Sequence, residues 1–169
     1  LISNVTVVTM NPRMDVLFGA YIAIEDGKIL SDTQSAYVMA YSFGILSLAE
    51  VRSHLVRKFE EDDGKLTTGF LGIRFLLPAL CDIGRSDIAY RLITSTEYPG
   101  WGYSVVNGAT TIWERWDSYT EENGIKKGMN SFNHYSFGSC TEWMYEYVLG
   151  ILMDTRYLLE QHSKHNASE

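Results

Sequence analysis

Residues 66 to 82 read Leu-Thr-Thr-Gly-Phe-Leu-Gly-Ile-Arg-Phe-Leu-Leu-Pro-Ala-Leu-Cys-Asp. The helical part, Gly69 to Asp82, is apolar around most of its circumference, with Arg74 interrupting it. A surface helix carries its apolar residues in one stripe, whereas a helix apolar all round is covered on several sides. The stretch from Asn130 or Ser131 to Ile151, around Cys140, has the same character. Two such helices point to the inner ring of a double-layered helical barrel. Gly69 and Gly72 allow close backbone approach, and Gly69-Phe-Leu-Gly72 lacks the spacing of a dinucleotide or phosphate loop.

Outward from this stretch the period is helical. Ser31-Asp32 is placed to cap a helix through Leu46, with Tyr37, Val38, Tyr41 and Ile45 on one face. Ser47 and Glu50 have capping-box spacing and start a second helix that runs to about Glu61 and ends at Asp63-Gly64. Gly84 stops the third helix, and Ser86 caps a fourth to about Thr96. Tyr98-Pro99-Gly100 breaks the chain before a short helix to Val106. Residues 118 to 129 read as a polar loop, and a last amphipathic helix covers Asp154 to about His162. Short connections make successive helices antiparallel. Residues 1 to 30 read differently. Val5, Val7 and Val8, then Tyr21-Ile-Ala-Ile-Glu25 running into Asp26-Gly27, give a β-hairpin signal, with Ile29 and Leu30 on the return strand. The expected organisation is a β-hairpin segment over 1–30, a helical domain over 31–163 and a polar tail over 164–169.

Composition narrows the function. The net charge of −7 disfavours a nucleic-acid partner, since phosphate binding needs clustered Lys and Arg. The pair Lys126-Lys127 follows Glu121 and Glu122 and reads as a solvated loop. Cys81 and Cys140 make neither a disulfide framework nor a zinc site, and both are expected as buried free thiols. The four His are scattered, so no metal and no cofactor is expected, and Ser139-Cys140 has no nucleophile arrangement. No apolar run is long enough to span a membrane. No signal-type segment is seen, so the chain is expected in the cytoplasm or in a compartment the sequence leaves open.

Two segments carry chemistry. Residues 108 to 117 read Gly-Ala-Thr-Thr-Ile-Trp-Glu-Arg-Trp-Asp. Glu114 has Trp113 and Trp116 beside it. A carboxylate between apolar rings is partly desolvated and becomes a stronger proton acceptor, which suits base catalysis. Arg115 and Asp117 are candidates to orient it. The competing reading is a surface strand on which Glu114 and Arg115 carry solvated, mutually screened charges. Residues 129 to 138 read Met-Asn-Ser-Phe-Asn-His-Tyr-Ser-Phe-Gly, with Asn130, Asn133, His134 and Tyr135 clustered at an expected helix start. His134 is a candidate donor to a sugar hydroxyl, against the reading of a satisfied structural histidine. The aromatic content, 11 Tyr and 4 Trp, fits a core and also fits rings that cover a pyranose face.

Taken together, Asp32-Thr-Gln-Ser-Ala-Tyr-Val-Met-Ala, Leu66-Thr-Thr-Gly-Phe-Leu-Gly, Asp87-Ile-Ala-Tyr, Tyr98-Pro-Gly-Trp-Gly-Tyr, Gly108-Ala-Thr-Thr-Ile-Trp-Glu-Arg-Trp-Asp and Met129-Asn-Ser-Phe-Asn-His-Tyr resemble the bacterial α-L-rhamnosidases, in the family's order, over about residues 31–151. The resemblance implies a mainly α fold, a partial (α/α)6 barrel of six-hairpin type, with a short N-terminal β-hairpin. It implies an inverting glycoside hydrolase acting on terminal α-L-rhamnosides. Glu114 is implied as the general base that activates water. His134 is implied as a sugar contact, with Trp113, Trp116, Trp101 and Asn133 as further substrate-binding candidates. Nothing in the chain matches the family's general-acid motif, so weak or absent activity in isolation is expected. Gly100 stands where the family usually has Ser, and Ile73-Arg74 replaces a small-polar residue and Pro. The partner implied is a rhamnose-containing glycoside. About half the helices of such a barrel are present, so self-association through uncovered faces is a further expectation. Residues 1–29 resemble the N-terminal strands of amidohydrolases, without that family's His-x-His, so the chain reads as a junction of two fragments. The alternatives are a non-catalytic carbohydrate-binding or interaction module and an amidohydrolase fragment.

Overall fold

Ser47 and Glu50 close a reciprocal cap at the start of a fourteen-residue helix, as their spacing predicts. The Glu50 carboxylate accepts the Ser47 N–H at 2.8 Å, and the Ser47 hydroxyl accepts the Glu50 N–H at 3.4 Å. The computed structural model of the chain describes residues 24–25, 28–29 and 31–151. The strand expected around Val5–Val8, the helix from Asp154 and the tail from 164 lie outside those residues.

β1 (Ile24–Glu25) and β2 (Lys28–Ile29) pair antiparallel, Ile24 with Ile29 and Glu25 with Lys28. α1 spans Gln34–Ser42 and is shorter than expected at both ends. Its cap is Thr33, whose hydroxyl accepts the Ala36 N–H at 3.1 Å, so Ser31 and Asp32 stay outside the helix. At the other end Gly44 adopts φ 71°, and the N–H groups of Ile45 and Leu46 turn back to the Ala40 carbonyl. Ile45, expected on the apolar face, is thereby left exposed.

α2 (Leu48–Glu61) buries the stripe Val51, Leu55 and Phe59, one residue per turn, against α1. α3 (Ile73–Asp82) is the centre of the core. Only Arg74 and Asp82 of its ten residues are exposed, because α1, α4 and the segment 136–143 all pack on it. The all-round apolar pattern is therefore realised as burial on several sides. The helix starts at Ile73, not Gly69. Of the two glycines only Gly72 sits in a close approach: a Cβ there would lie 2.9 Å from Thr68 Cγ2 and 3.0 Å from the Ser35 backbone, while one at Gly69 would meet open space.

α4 (Ser86–Thr94) turns Ile88, Ala89 and Leu92 inward. Its cap position is Arg85, not Ser86, and Arg85 forks onto Asp87 with both hydrogen bonds at 2.9 Å. α5 is Trp101–Val106. The expected polar loop contains a small hairpin, β3 (Tyr119–Thr120) with β4 (Gly124–Ile125).

The largest departure is the long helix expected from Asn130 to Ile151. The structure has an irregular stretch to Tyr135, a 3-10 turn (Ser136–Ser139), a single α turn, α6 (Cys140–Trp143), and a π turn (Met144–Val148). The Ser131 carbonyl and the His134 N–H bond to Glu114 and Ile112 and cannot also close helical hydrogen bonds. The C-terminal part is tied to α3 instead. Arg74 forks onto Glu142 at 3.0 Å twice, and the Tyr147 hydroxyl donates to Asp82 at 3.1 Å. Cys140 is buried, whereas Cys81 is only half-buried, and both are free thiols. No helix among the described residues is long and apolar enough to cross a membrane.

Asp32 anchors the entry to α1. Arg57 contacts its carboxylate at 2.7 and 3.3 Å, and the Tyr37 hydroxyl also donates to it. The Arg57 and Tyr37 hydrogen bonds hold the Asp32 carboxyl well below the usual carboxylate range, while burial and then Asp32 push the Tyr37 hydroxyl up to about 12. A carboxyl depressed in the folded state adds stability above its unfolded pKa, about 3.9, and loses it as pH falls toward the folded value. Asp32→Asn is therefore expected to lower stability at pH 7, with the gap from the parent shrinking below about pH 4. Both partners are roughly half exposed, so solvent screening keeps the effect under about 1 kcal/mol. Urea melts across this range check it, and a gap constant down to pH 2 counts against the ion pair as its cause.

Candidate active site

The β-branched run Thr110-Thr111-Ile112 follows α5 as an irregular stretch that bends at Thr110 and Thr111. It meets the second segment singled out by sequence. The Glu114 N–H donates to the Ser131 carbonyl at 2.9 Å, and the His134 N–H donates to the Ile112 carbonyl at 2.8 Å. The Thr111 hydroxyl reaches the Phe132 carbonyl between them. Glu114 and His134, twenty positions apart in the chain, thus sit on adjoining irregular stretches, both half-buried.

The tryptophans singled out by sequence are held by named contacts. Trp113 is buried and packs edge-on to Phe132, centroids 5.2 Å apart. Trp116 stacks on Phe137 at 3.7 Å with the ring planes within 6°, and its indole N–H donates to the Thr68 carbonyl at 2.9 Å. Trp101 meets Trp116 edge-on at 5.1 Å and donates its indole N–H to the Phe137 carbonyl at 2.7 Å. Trp101, Trp113, Trp116 and Phe137, with Thr111 and Ile112, form walls of a cleft of about 290 Å³. Glu114, His134 and Asn133 stand on the adjoining stretches and do not line that cleft. The six expected site residues therefore divide into an aromatic wall and a neighbouring polar group.

His134 is oriented on both sides. Its Nδ1 accepts the Ser136 N–H at 3.3 Å, and its ring stacks on Tyr135 at 5.2 Å and leans against Phe70 at 5.9 Å. With Nδ1 accepting, the neutral ring carries its proton on Nε2, and that edge is a donor. Asn133 is exposed, and its N–H donates to the Ser131 hydroxyl at 3.1 Å.

Arg115 and Asp117 do not orient Glu114 as expected. Arg115 pairs with Asp117 at 3.4 Å, and Asp117 takes a close ion pair from Lys126. Burial pushes the Asp117 carboxyl up, but the Lys126 hydrogen bond and the charges of Lys126 and Arg115 outweigh it, leaving Asp117 below the ordinary carboxylate value. This cluster fastens the β3–β4 hairpin to the Glu114 segment. Asn130 helps, donating to the Ser118 carbonyl at 3.1 Å and to the Lys126 carbonyl at 3.4 Å.

Three residues that shape the cleft do not stand out in the sequence: Phe137, which is part of the wall, and Gln34 and Thr68, which hold it from behind. Gln34 had one legible signal, a polar side chain at the start of a helix that turns apolar from Ala36 onward. Chemically, the arrangement offers a carboxylate that can take a proton, an imidazole N–H that can donate to a hydroxyl, and ring faces suited to the apolar side of a sugar.

Comparison with known proteins adds three findings. Residues 12–148 match the family model described as the bacterial alpha-L-rhamnosidase 6 hairpin glycosidase domain, a match that begins upstream of the helical start expected at Ser31. The chain is 48% identical over 136 residues to an alpha-L-rhamnosidase of Streptomyces avermitilis, covering 78% of this chain and 13% of that protein, and 44% identical over 140 residues to one of an Alteromonas species, covering 79% and 15%. Its fold is similar to the crystal structure of the Streptomyces avermitilis alpha-L-rhamnosidase complexed with L-rhamnose, with a TM-score of 0.69 at 47% identity over 78% of this chain and 13% of that one. It is also similar to a native Aspergillus terreus rhamnosidase, with a TM-score of 0.65 at 37% identity over 73% of this chain and 15% of that one. The chain thus spans only 13–15% of the length of these relatives.

Proposed function

Because the chain belongs to the six-hairpin glycosidase domain family of the bacterial α-L-rhamnosidases, we propose that it supplies the general-base half of an inverting hydrolase acting on terminal α-L-rhamnosides. Its helices form part of an (α/α)6 barrel. In this reading Glu114 takes a proton from a water held against the anomeric carbon, and a carboxylic acid in the remainder of the barrel protonates the leaving oxygen. Inversion needs the two carboxyls about 6.5–9.5 Å apart, so that the water fits between base and sugar. His134 donates Nε2–H to a sugar hydroxyl, and the tryptophans exclude bulk water. The observation that carries the reading is the direct backbone pairing of the Glu114 and His134 segments. It sets the Glu114 and His134 backbones side by side, which supports pairing a proton acceptor with a contact to a sugar hydroxyl.

L-Rhamnose titration of the isolated chain tests the sugar site. The parent is expected to bind saturably and with little hydrolysis of an aryl rhamnoside. His134→Ala is expected to weaken binding by about tenfold, the value of one directed hydrogen bond to a polar ligand. Unchanged affinity in that variant removes His134 from the site. Efficient inverting turnover by the isolated chain would refute an acid supplied from elsewhere. The reading of a non-catalytic carbohydrate-binding module is favoured by one observation, an aromatic cleft whose lining excludes Glu114. Binding that survives every change at Glu114 and His134 but fails on Trp116→Ala supports it.

A further inference from the structure

We propose that Gln34 is a positioning residue for the tryptophan-walled cleft, acting through Thr68 on Trp116; the proposal rests on the reading of Trp116 as a sugar contact. The Gln34 side chain is completely buried, and its amide is fully engaged. Nε2 donates to Asp62 Oδ2 at 3.0 Å and to the Lys65 carbonyl at 2.8 Å. Oε1 accepts the Thr67 N–H at 3.0 Å and the Thr68 hydroxyl at 2.9 Å. Two donors and two acceptor directions exhaust what a carboxamide offers.

These four bonds pin the irregular crossing from α2 to α3 onto the first turn of α1. The last residue they reach, Thr68, is also completely buried, and its carbonyl receives the Trp116 indole N–H at 2.9 Å. Thr68 is fixed on its other side by the close packing at Gly72. Trp116 passes its position to Phe137 by stacking and to Trp101 by edge contact. A shift of the crossing is therefore felt at the cleft wall. The residue does not touch the cleft, so its influence runs through the position of a carbonyl.

Indole N–H resonances of the whole chain test this. The chain has four tryptophans, and Trp116→Phe assigns the relevant signal. Gln34→Glu keeps the shape but removes both donors and sets a carboxylate against Asp62. It is expected to move the Trp116 signal and speed its hydrogen exchange by about tenfold or more, as local opening becomes easier. The Trp143 N–H, which sits on Cys81 Sγ at 3.1 Å, is expected to stay in place. L-Rhamnose affinity is expected to fall several-fold. If Gln34→Glu does not fold, Thr68→Val carries the test, since it loses only the hydroxyl bond, and Thr68→Ser restores the parent signal. A Trp116 signal unmoved in these variants overturns the proposal, and so does one that moves together with Trp143. If Trp116 responds to Gln34 while the parent binds no L-rhamnose, the positioning role stands and the sugar reading fails.

Discussion

Removing the Glu114 carboxylate from a complete barrel is expected to lower kcat by about 10²–10⁴-fold, the usual worth of one acid–base group, while KM changes little. The experiment grafts residues 31–151 into the corresponding part of the Streptomyces relative, to which the chain is 48% identical over 136 residues. Aryl α-L-rhamnoside hydrolysis is then compared with and without Glu114→Ala. A base acts on the proton of water, so its loss is felt in the transition state more than in sugar binding. Azide needs no deprotonation and fits where the side chain was. It is expected to restore turnover and to give the rhamnosyl azide of inverted configuration. Asp117→Asn is the control, because Asp117 is engaged with Arg115 and Lys126. A graft that keeps its kcat without Glu114 ends the base assignment. An equal loss in Asp117→Asn would show that the segment had merely come loose.

Trp143→Ala is expected to be the most damaging single change to the fold, costing about 3–5 kcal/mol. Trp143 is 2% exposed, meets Tyr90 edge-on at 5.3 Å and donates its indole N–H to Cys81. Truncation leaves a cavity between α6, α3 and α4 and an unpartnered thiol beside it. Against a total stability of about 5–15 kcal/mol, such a loss is a large fraction. Urea melts at matched m-value measure it. Tyr135→Ala, a change of similar size at a site 86% exposed, is expected to stay within about 0.5 kcal/mol. A Trp143 effect no larger than that of Tyr135 would mean that the C-terminal turns contribute little to the core.

The helical regime after Ser31, the Ser47–Glu50 cap and the central burial of residues 73–82 were legible because each depends on neighbours in the chain. Capping and apolar periodicity are local, and local rules place α2 and α3 without knowledge of what packs on them. The starts of α1, α3 and α4 were missed by a few residues: Thr33 caps α1 in place of Ser31, α3 begins at Ile73 and not Gly69, and α4 takes Ser86 into its first turn with no side-chain cap at Arg85.

Residue type and spacing alone carry the helical class, the family resemblance and the choice of Glu114, His134 and the tryptophans as candidates. The folded chain puts residues 131–134 beside 112–114 and gives Asp117 to Lys126 and Arg115. It alone separated the aromatic wall from Glu114 and set Gln34 behind it. Residues 131–134, Ser-Phe-Asn-His, lead into an apolar-aromatic run and offer polar side chains suited to a helix start. The backbone bonds to Ile112 and Glu114 outweigh that preference, and such long-range pairing leaves no periodic trace in the chain.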